Sequence, residues 1–188
     1  MKFMKYFLAA KATEMPDRFE IWLKALGFAK EAHAGQLIPG TDLPYFLHPA
    51  AVSDVLKPCL TDANAGLLIP IALLHDTIED TKVTHADLVR EFGQAVADGV
   101  AALSKDPSLP KEQRMPDSLK RIQAQPRAVW MVKMADRIVN MSPPPNFWSD
   151  RKIAAYKEEA RLILTELRSA DEYLAKILEE KIQKYPYR

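Results

Sequence analysis

The sequence predicts an all-α fold, a single domain built as a helical bundle. Apolar residues recur mostly at helical spacing along the chain, and convincing alternation of polar and apolar residues, the mark of strands, is missing. The 14 prolines fall largely between the periodic segments, where they act as joints. At 188 residues the chain can bury one sizeable core and does not call for a second domain.

Taken in order, Met1–Lys11 starts basic, but Lys11 interrupts its apolar run, which fits a short amphipathic lead-in helix better than a secretion signal. Helices are predicted over about 17–35, 47–57, 62–80, 84–104, 117–124, 127–141, 149–169 and 171–184. The first lies between Pro16 and the break at Gly35, and the second between Pro44 and Pro58. Pro49 and Pro70 sit inside predicted helices, as first-turn residues or kinks. Segment 62–80 holds the longest apolar run, Ala65 to Leu74. In 84–104, Thr84 precedes the periodic set Leu88, Phe92, Val96 and Val100, with Asp87 completing an acidic capping box. Pro116 and Pro126 bound 117–124, the triplet Pro143-Pro144-Pro145 closes the next helix, and Ser149 and Asp171 are caps for the last two.

Composition excludes several function classes. Hydrophobic residues at 48% and interspersed charges at 27% describe a globular protein. Lys plus Arg number 26 against 25 for Asp plus Glu, so no bulk basic field exists for nucleic acid or an anionic membrane. The run Ala65–Leu74 is well short of the roughly 20 residues that span a bilayer. Cys59 is the single cysteine, which rules out an intrachain disulfide and a cysteine-rich zinc site and fits a reducing compartment. A cytoplasmic protein is expected, with its oligomeric state left open.

The chemistry concentrates where the apolar segment ending Leu73-Leu74 turns into His75-Asp76-Thr77-Ile78-Glu79-Asp80. On a continuous helix His75 lies above Glu79 and Asp76 above Asp80, two columns on one side. Three carboxylates at a helix C-terminus are unfavourable without a counter-charge, and a cation supplies one. A satisfied core histidine beside a solvated helix end is the competing account. Further ligands must come from other helices: His33, before the Gly35 break, and Asp136, which interrupts the apolar face of Val132-Lys133-Met134-Ala135-Asp136-Arg137, are the candidates. Asp136 can equally be a partner of Lys133 or Arg137.

Together the runs Ala32-His33-Ala34-Gly35-Gln36, Pro44-Tyr45-Phe46-Leu47-His48-Pro49, Leu74-His75-Asp76-Thr77-Ile78-Glu79-Asp80-Thr81, Phe92-Gly93 and Lys133-Met134-Ala135-Asp136-Arg137 through Asn140-Met141 resemble the hydrolase domain of RelA/SpoT proteins of the HD superfamily. The stand-alone small alarmone hydrolases are especially similar. The match runs in order over roughly 25–170, inside one domain spanning 1–188. The resemblance implies an all-α HD fold with manganese held by His33, His75, Asp76 and Asp136; the mixed nitrogen and oxygen set also suits iron, zinc or cobalt. It further implies that Glu79 and Asp80 position or deprotonate the attacking water, and that pyrophosphate leaves the 3′ position of guanosine tetra- or pentaphosphate. Asn140 and Tyr156 match substrate-contacting positions. Lys111 and Arg114, in Leu109-Pro110-Lys111-Glu112-Gln113-Arg114, match a motif that supplies basic groups to phosphates. His48 falls to the scaffold, pinning a helix start, and His85 to the surface; Trp22, Trp130 and Trp148 fill the core or a cleft wall.

Two departures bear on substrate. After Gln36 the family's basic pair is replaced by Leu37-Ile38-Pro39, and Val139 stands where many members have histidine. Alternative functions are therefore an HD phosphohydrolase acting on an adenine alarmone, NADPH or a nucleoside phosphate, and a non-catalytic, metal-stabilised nucleotide-binding module.

Overall fold

The computed structural model describes residues 18–186, which form ten α-helices and two short 3-10 turns. The lead-in segment Met1–Lys11 lies outside the described residues. The helices are α1 (Arg18–Ala32), α2 (Leu47–Val55), α3 (Ala65–Leu74), α4 (Thr77–Asp80), α5 (His85–Phe92), α6 (Gln94–Leu103), α7 (Lys111–Gln123), α8 (Arg127–Asn140), α9 (Asp150–Leu167) and α10 (Glu172–Lys184). Among the described residues no strand forms, and Leu37 and Pro44 make one isolated antiparallel bridge.

The centre is α3, whose apolar run leaves Leu68 and Ile71 to Leu74 fully buried. A helix that is apolar on all sides must be surrounded, and α3 packs against α1, α2, α6 and α8. Its Pro70 lies inside the helix. The second buried element, α8, presents Val129, Val132, Met134, Ala135 and Ile138 to the core and carries three buried charged residues, Lys133, Asp136 and Arg137.

Three predicted helices have different limits, each for a local reason. Segment 62–80 splits at His75-Asp76, because side chains there compete for the last carbonyls of α3. His75 Nδ1 takes Ala72 O at 2.8 Å and Thr77 Oγ1 takes Leu74 O at 2.7 Å. Segment 84–104 splits at Gly93, whose φ of 84° closes α5 before α6 begins. Conversely, α7 starts at Lys111 and runs through Pro116, since the buried face of Met115, Ser118, Leu119 and Ile122 outweighs the hydrogen bond the proline removes.

The predicted caps form. Thr84 and Asp87 make a reciprocal capping box, Ser149 accepts from Lys152 N, and Asp171 accepts from Leu174 N. The end of α6 is capped from α7: Arg121 Nη1 donates to Ala101 O at 2.6 Å and Nη2 to Ser104 O at 2.8 Å. His85 pairs with Asp98 at 2.7 Å and is only partly exposed. Between α1 and α2 the chain folds into a tight loop, held by Tyr45 N donating to Gln36 O and Ile38 N to Leu43 O, both at 2.9 Å.

Candidate metal centre

Three elements deliver side chains to one point beside the core. The break after α3 frees His75 and Asp76 from a shared helical face. Asp136 comes from α8, and His48 from the first turn of α2. His75 Nε2 lies 3.0 Å from Asp76 Oδ2 and 3.6 Å from Asp136 Oδ1. His48 Nε2 lies 3.5 Å from Asp76 Oδ2 and 3.3 Å from Asp136 Oδ1. Among the described residues, donor atoms of His48, His75 and Asp76 all fall within 4.8 Å of one another.

These spacings fit the edges of a metal coordination shell, where ligands about 2.1 Å from an ion stand roughly 3.0–3.4 Å apart. The hydrogen-bond pattern points the same way. His75 gives its Nδ1 proton to Ala72 O, so the Nε2 of its neutral form is a lone pair; that atom is buried and has no hydrogen-bond partner. A lone pair facing carboxylate oxygens in a buried site needs a cation between them. Electrostatics record the same demand. Burial lowers the pKa of His75, but Asp76 and Asp136 override it and hold the imidazole well above its ordinary value. Burial resists ionisation of Asp76, yet His75 and His48 bring its carboxyl down to about 2. Asp136 is likewise held low against burial, first by Lys133.

Asp136 serves two directions at once. Its Oδ2 accepts from Lys133 Nζ at 3.0 Å, while Oδ1 faces the imidazoles and accepts from Asn140 Nδ2. The ion-pair and ligand accounts of this aspartate are therefore compatible, one for each oxygen.

The structure does not bring His33 into this cluster. His33 is buried, its Nδ1 meets Gln36 Oε1 at 2.8 Å, and its ring packs 4.8 Å from that of Tyr45, with no ion pair to Asp76 or Asp136. The expectation that His33 and not His48 stands with His75, Asp76 and Asp136 is corrected by placement. Both histidines flank the same loop, and its closure carries the far end, with His48, to α3 and α8. Burial in the first turn of an apolar helix was the available signal for His48.

Glu79 and Asp80 also separate. Asp80 remains with the cluster: its N donates to Asp76 O at 2.9 Å, and Gln36 Nε2 donates to its carbonyl at 2.8 Å. Partial burial, then Asp76 and Glu79, raise the pKa of its carboxyl. Glu79 turns away to Lys105, accepting from its N at 2.8 Å with Nζ at 3.5 Å. The column of His75 over Glu79 does not form, because the helix breaks between them.

Tyr45 is a site residue that the pattern of the sequence did not single out. Its hydroxyl donates to Asp76 Oδ2 at 2.7 Å and stands 3.4 Å from Asp80 Oδ2. Burial and Asp76 raise its pKa, so it stays a protonated donor.

Next to His48 opens a cleft of about 450 Å³ that also contains Asn140 and Tyr156. Tyr156 is backed by Arg137, whose Cζ lies 4.2 Å from the ring centroid while Nη2 pairs with Glu159. Trp148 meets Tyr156 edge-on at 5.2 Å, as a cleft wall. Trp22 and Trp130 pack partly buried against the core. Lys111 and Arg114 do not line the cleft. Arg114 instead binds back onto its own loop, donating to Leu109 O at 2.9 Å and Pro107 O at 2.8 Å, and Lys111 is exposed at the start of α7.

Residues 25–172 match the HD domain family. The chain is 32% identical over 170 residues to Danio rerio MESH1, a guanosine-3′,5′-bis(diphosphate) 3′-pyrophosphohydrolase, covering 87% of this chain and 91% of that protein. It is 30% identical over 159 residues to the Xenopus tropicalis MESH1, covering 81% and 87%. A solved structure described as a metazoan orthologue of SpoT that hydrolyses ppGpp superposes with a TM-score of 0.78 at 26% identity, covering 92% of this chain and 98% of that one. Among the described residues no helix is long and apolar enough to cross a membrane.

Proposed function

Since the chain belongs to the HD domain family, and within it stands with the MESH1 enzymes, we propose that it is a metal-dependent 3′-pyrophosphohydrolase of guanosine tetra- and pentaphosphate. The products are GDP or GTP and pyrophosphate. The observation that carries the reading is the convergence of His48, His75, Asp76 and Asp136 beside a nucleotide-sized cleft, with Asp80 joined to Asp76 through the Tyr45 hydroxyl.

We assign the metal to His48, His75, Asp76 and Asp136, two nitrogen and two oxygen donors that suit manganese and also accept iron, zinc or cobalt. Such an ion supplies Lewis acidity and neutralises phosphate charge. The remaining work falls to the chain. Asp80 accepts a proton from the attacking water as the new P–O bond forms and the bond to the sugar 3′ oxygen breaks. A proton passes to that oxygen, directly from Asp80 or through solvent, to leave the 3′ hydroxyl of GDP or GTP. Burial, Asp76 and Glu79 raise the pKa of Asp80 and so favour its taking the proton. Tyr45 orients Asp76 and stands beside Asp80, and Gln36 fixes the Asp80 backbone. Glu79, tied to Lys105, keeps negative charge next to Asp80 and positions it. Asn140 and Tyr156 hold the nucleoside in the cleft.

Incubation with guanosine tetraphosphate and each of the four metals in turn, reading pyrophosphate and orthophosphate separately, tests the proposal. Pyrophosphate and GDP are expected in equal amounts. Intact substrate with every metal defeats the catalytic reading and leaves a binding module; orthophosphate alone shows a phosphomonoesterase.

A further inference from the structure

The two ends of the cleft differ in chemistry. One end meets the His and Asp cluster. The rest carries no charge and is walled mainly with carbon: Ile38 and Pro39 on the loop after α1, Val139 near the end of α8, Pro144 beyond it, and the rings of Trp148 and Tyr156. Asn140 and Ser142 add neutral polar side chains. Among the described residues that line it there is no lysine, arginine, aspartate or glutamate. The cations close by that are buried or half-buried are engaged elsewhere: Lys133 is bound to Asp136, Arg137 to Glu159 behind the Tyr156 ring, and Lys157 to Tyr185 O. Lys152, exposed, stands over the Trp148 ring at 4.0 Å, at the rim. The apolar loop is held in place by its own hydrogen bonds, Ile38 N to Leu43 O and Tyr45 N to Gln36 O.

A phosphate placed against such a wall gives up hydration without gaining an ionic partner. Sugar and base surfaces gain from the same contact, because carbon and aromatic faces take them out of water at little polar cost. We infer that this cleft selects nucleoside 3′-diphosphates carrying few or no phosphates on the 5′ carbon, so that less charged relatives of guanosine tetraphosphate are the better substrates. The inference rests on the 3′-pyrophosphohydrolase reading, which determines the end of the substrate that meets the metal.

The test uses guanosine 3′-diphosphates ending at 5′ in a hydroxyl, mono-, di- or triphosphate, assayed with manganese for pyrophosphate release. From hydroxyl to triphosphate, kcat/KM falls at least about tenfold as unpaired charge is desolvated. A flat or rising series overturns the inference. Pro39→Arg, with Ile38→Arg as a second variant, raises the kcat/KM ratio of the 5′-diphosphate over the 5′-hydroxyl by about tenfold through a new charge-assisted contact. An unchanged ratio in both removes the wall from substrate selection. Calorimetric titration of the full chain without metal gives a readout independent of turnover: guanosine binds at least as tightly as GDP, and tighter GDP binding overturns the inference. If that order holds while no member of the series yields pyrophosphate, the 3′-pyrophosphohydrolase reading falls and the neutral cleft stands.

Discussion

Replacing His48 by glutamine, with His33→Gln as its counterpart, separates a metal ligand from a residue that merely borders the site. His48 Nε2 stands 3.3 Å and 3.5 Å from the two carboxylates, whereas His33 is engaged with Gln36. Residues that only support ligands change metal affinity by about 10–100-fold. A ligand should exceed the upper figure, a loss of more than about 2.7 kcal/mol. Both side chains are buried, so both substitutions perturb packing. Thermal melts in chelator measure that contribution alone. Titration of each stripped protein with manganese, followed by calorimetry or by the spectrum of the free ion, then gives affinity. The expected result is more than about 100-fold loss for His48→Gln and a loss inside the 10–100-fold range for His33→Gln. The reverse order refutes the ligand set proposed above.

Tyr45→Phe keeps the ring packing and removes the donor to Asp76, so metal affinity or kcat falls about 10–100-fold with an unchanged circular dichroism spectrum; wild-type values in both assays would show that the hydroxyl orients nothing. Asp80→Asn lowers kcat by about 10²–10⁴ while manganese still binds, and Glu79→Gln costs less because Glu79 is tied to Lys105. Single-turnover assays rank the two, and equal losses would restore a shared role. Arg121→Met frees the carbonyls at the end of α6 and destabilises the fold by about 1–3 kcal/mol in urea unfolding; a neutral result removes Arg121 as a cap. Hydrogen bonds from Thr84 and Arg90 hold the Asp87 carboxyl at about 2, below its ordinary 3.8, so the capping box stabilises the protein above about pH 4 and that contribution disappears as pH falls through 2. The melting-temperature gap between wild type and Asp87→Asn should close over that window, and a constant gap contradicts the assignment.

The sequence by itself determined what short-range chemistry controls. The caps at Thr84, Ser149 and Asp171 form as read, because each hydrogen bond joins residues three apart. The all-α class follows from apolar periodicity; Asp136 stands out as a polar group in an otherwise buried helix, and His75 and Asp76 as polar groups where the buried apolar run of α3 ends. The tertiary structure decided whatever depends on convergence between distant segments. His33 and His48 flank one loop and look equivalent along the chain; the loop's closure on Gln36, Leu43 and Tyr45 places His48 beside Asp76 and Asp136 and leaves His33 against Gln36. Neighbours can also part: Glu79 pairs with Lys105 while Asp80 stays with Asp76, since the helix that would have aligned them with His75 ends one residue earlier. A sequence pattern gives the direction of a side chain only while its helix continues; past a break, packing of α3, α4 and α8 sets which oxygens and nitrogens meet.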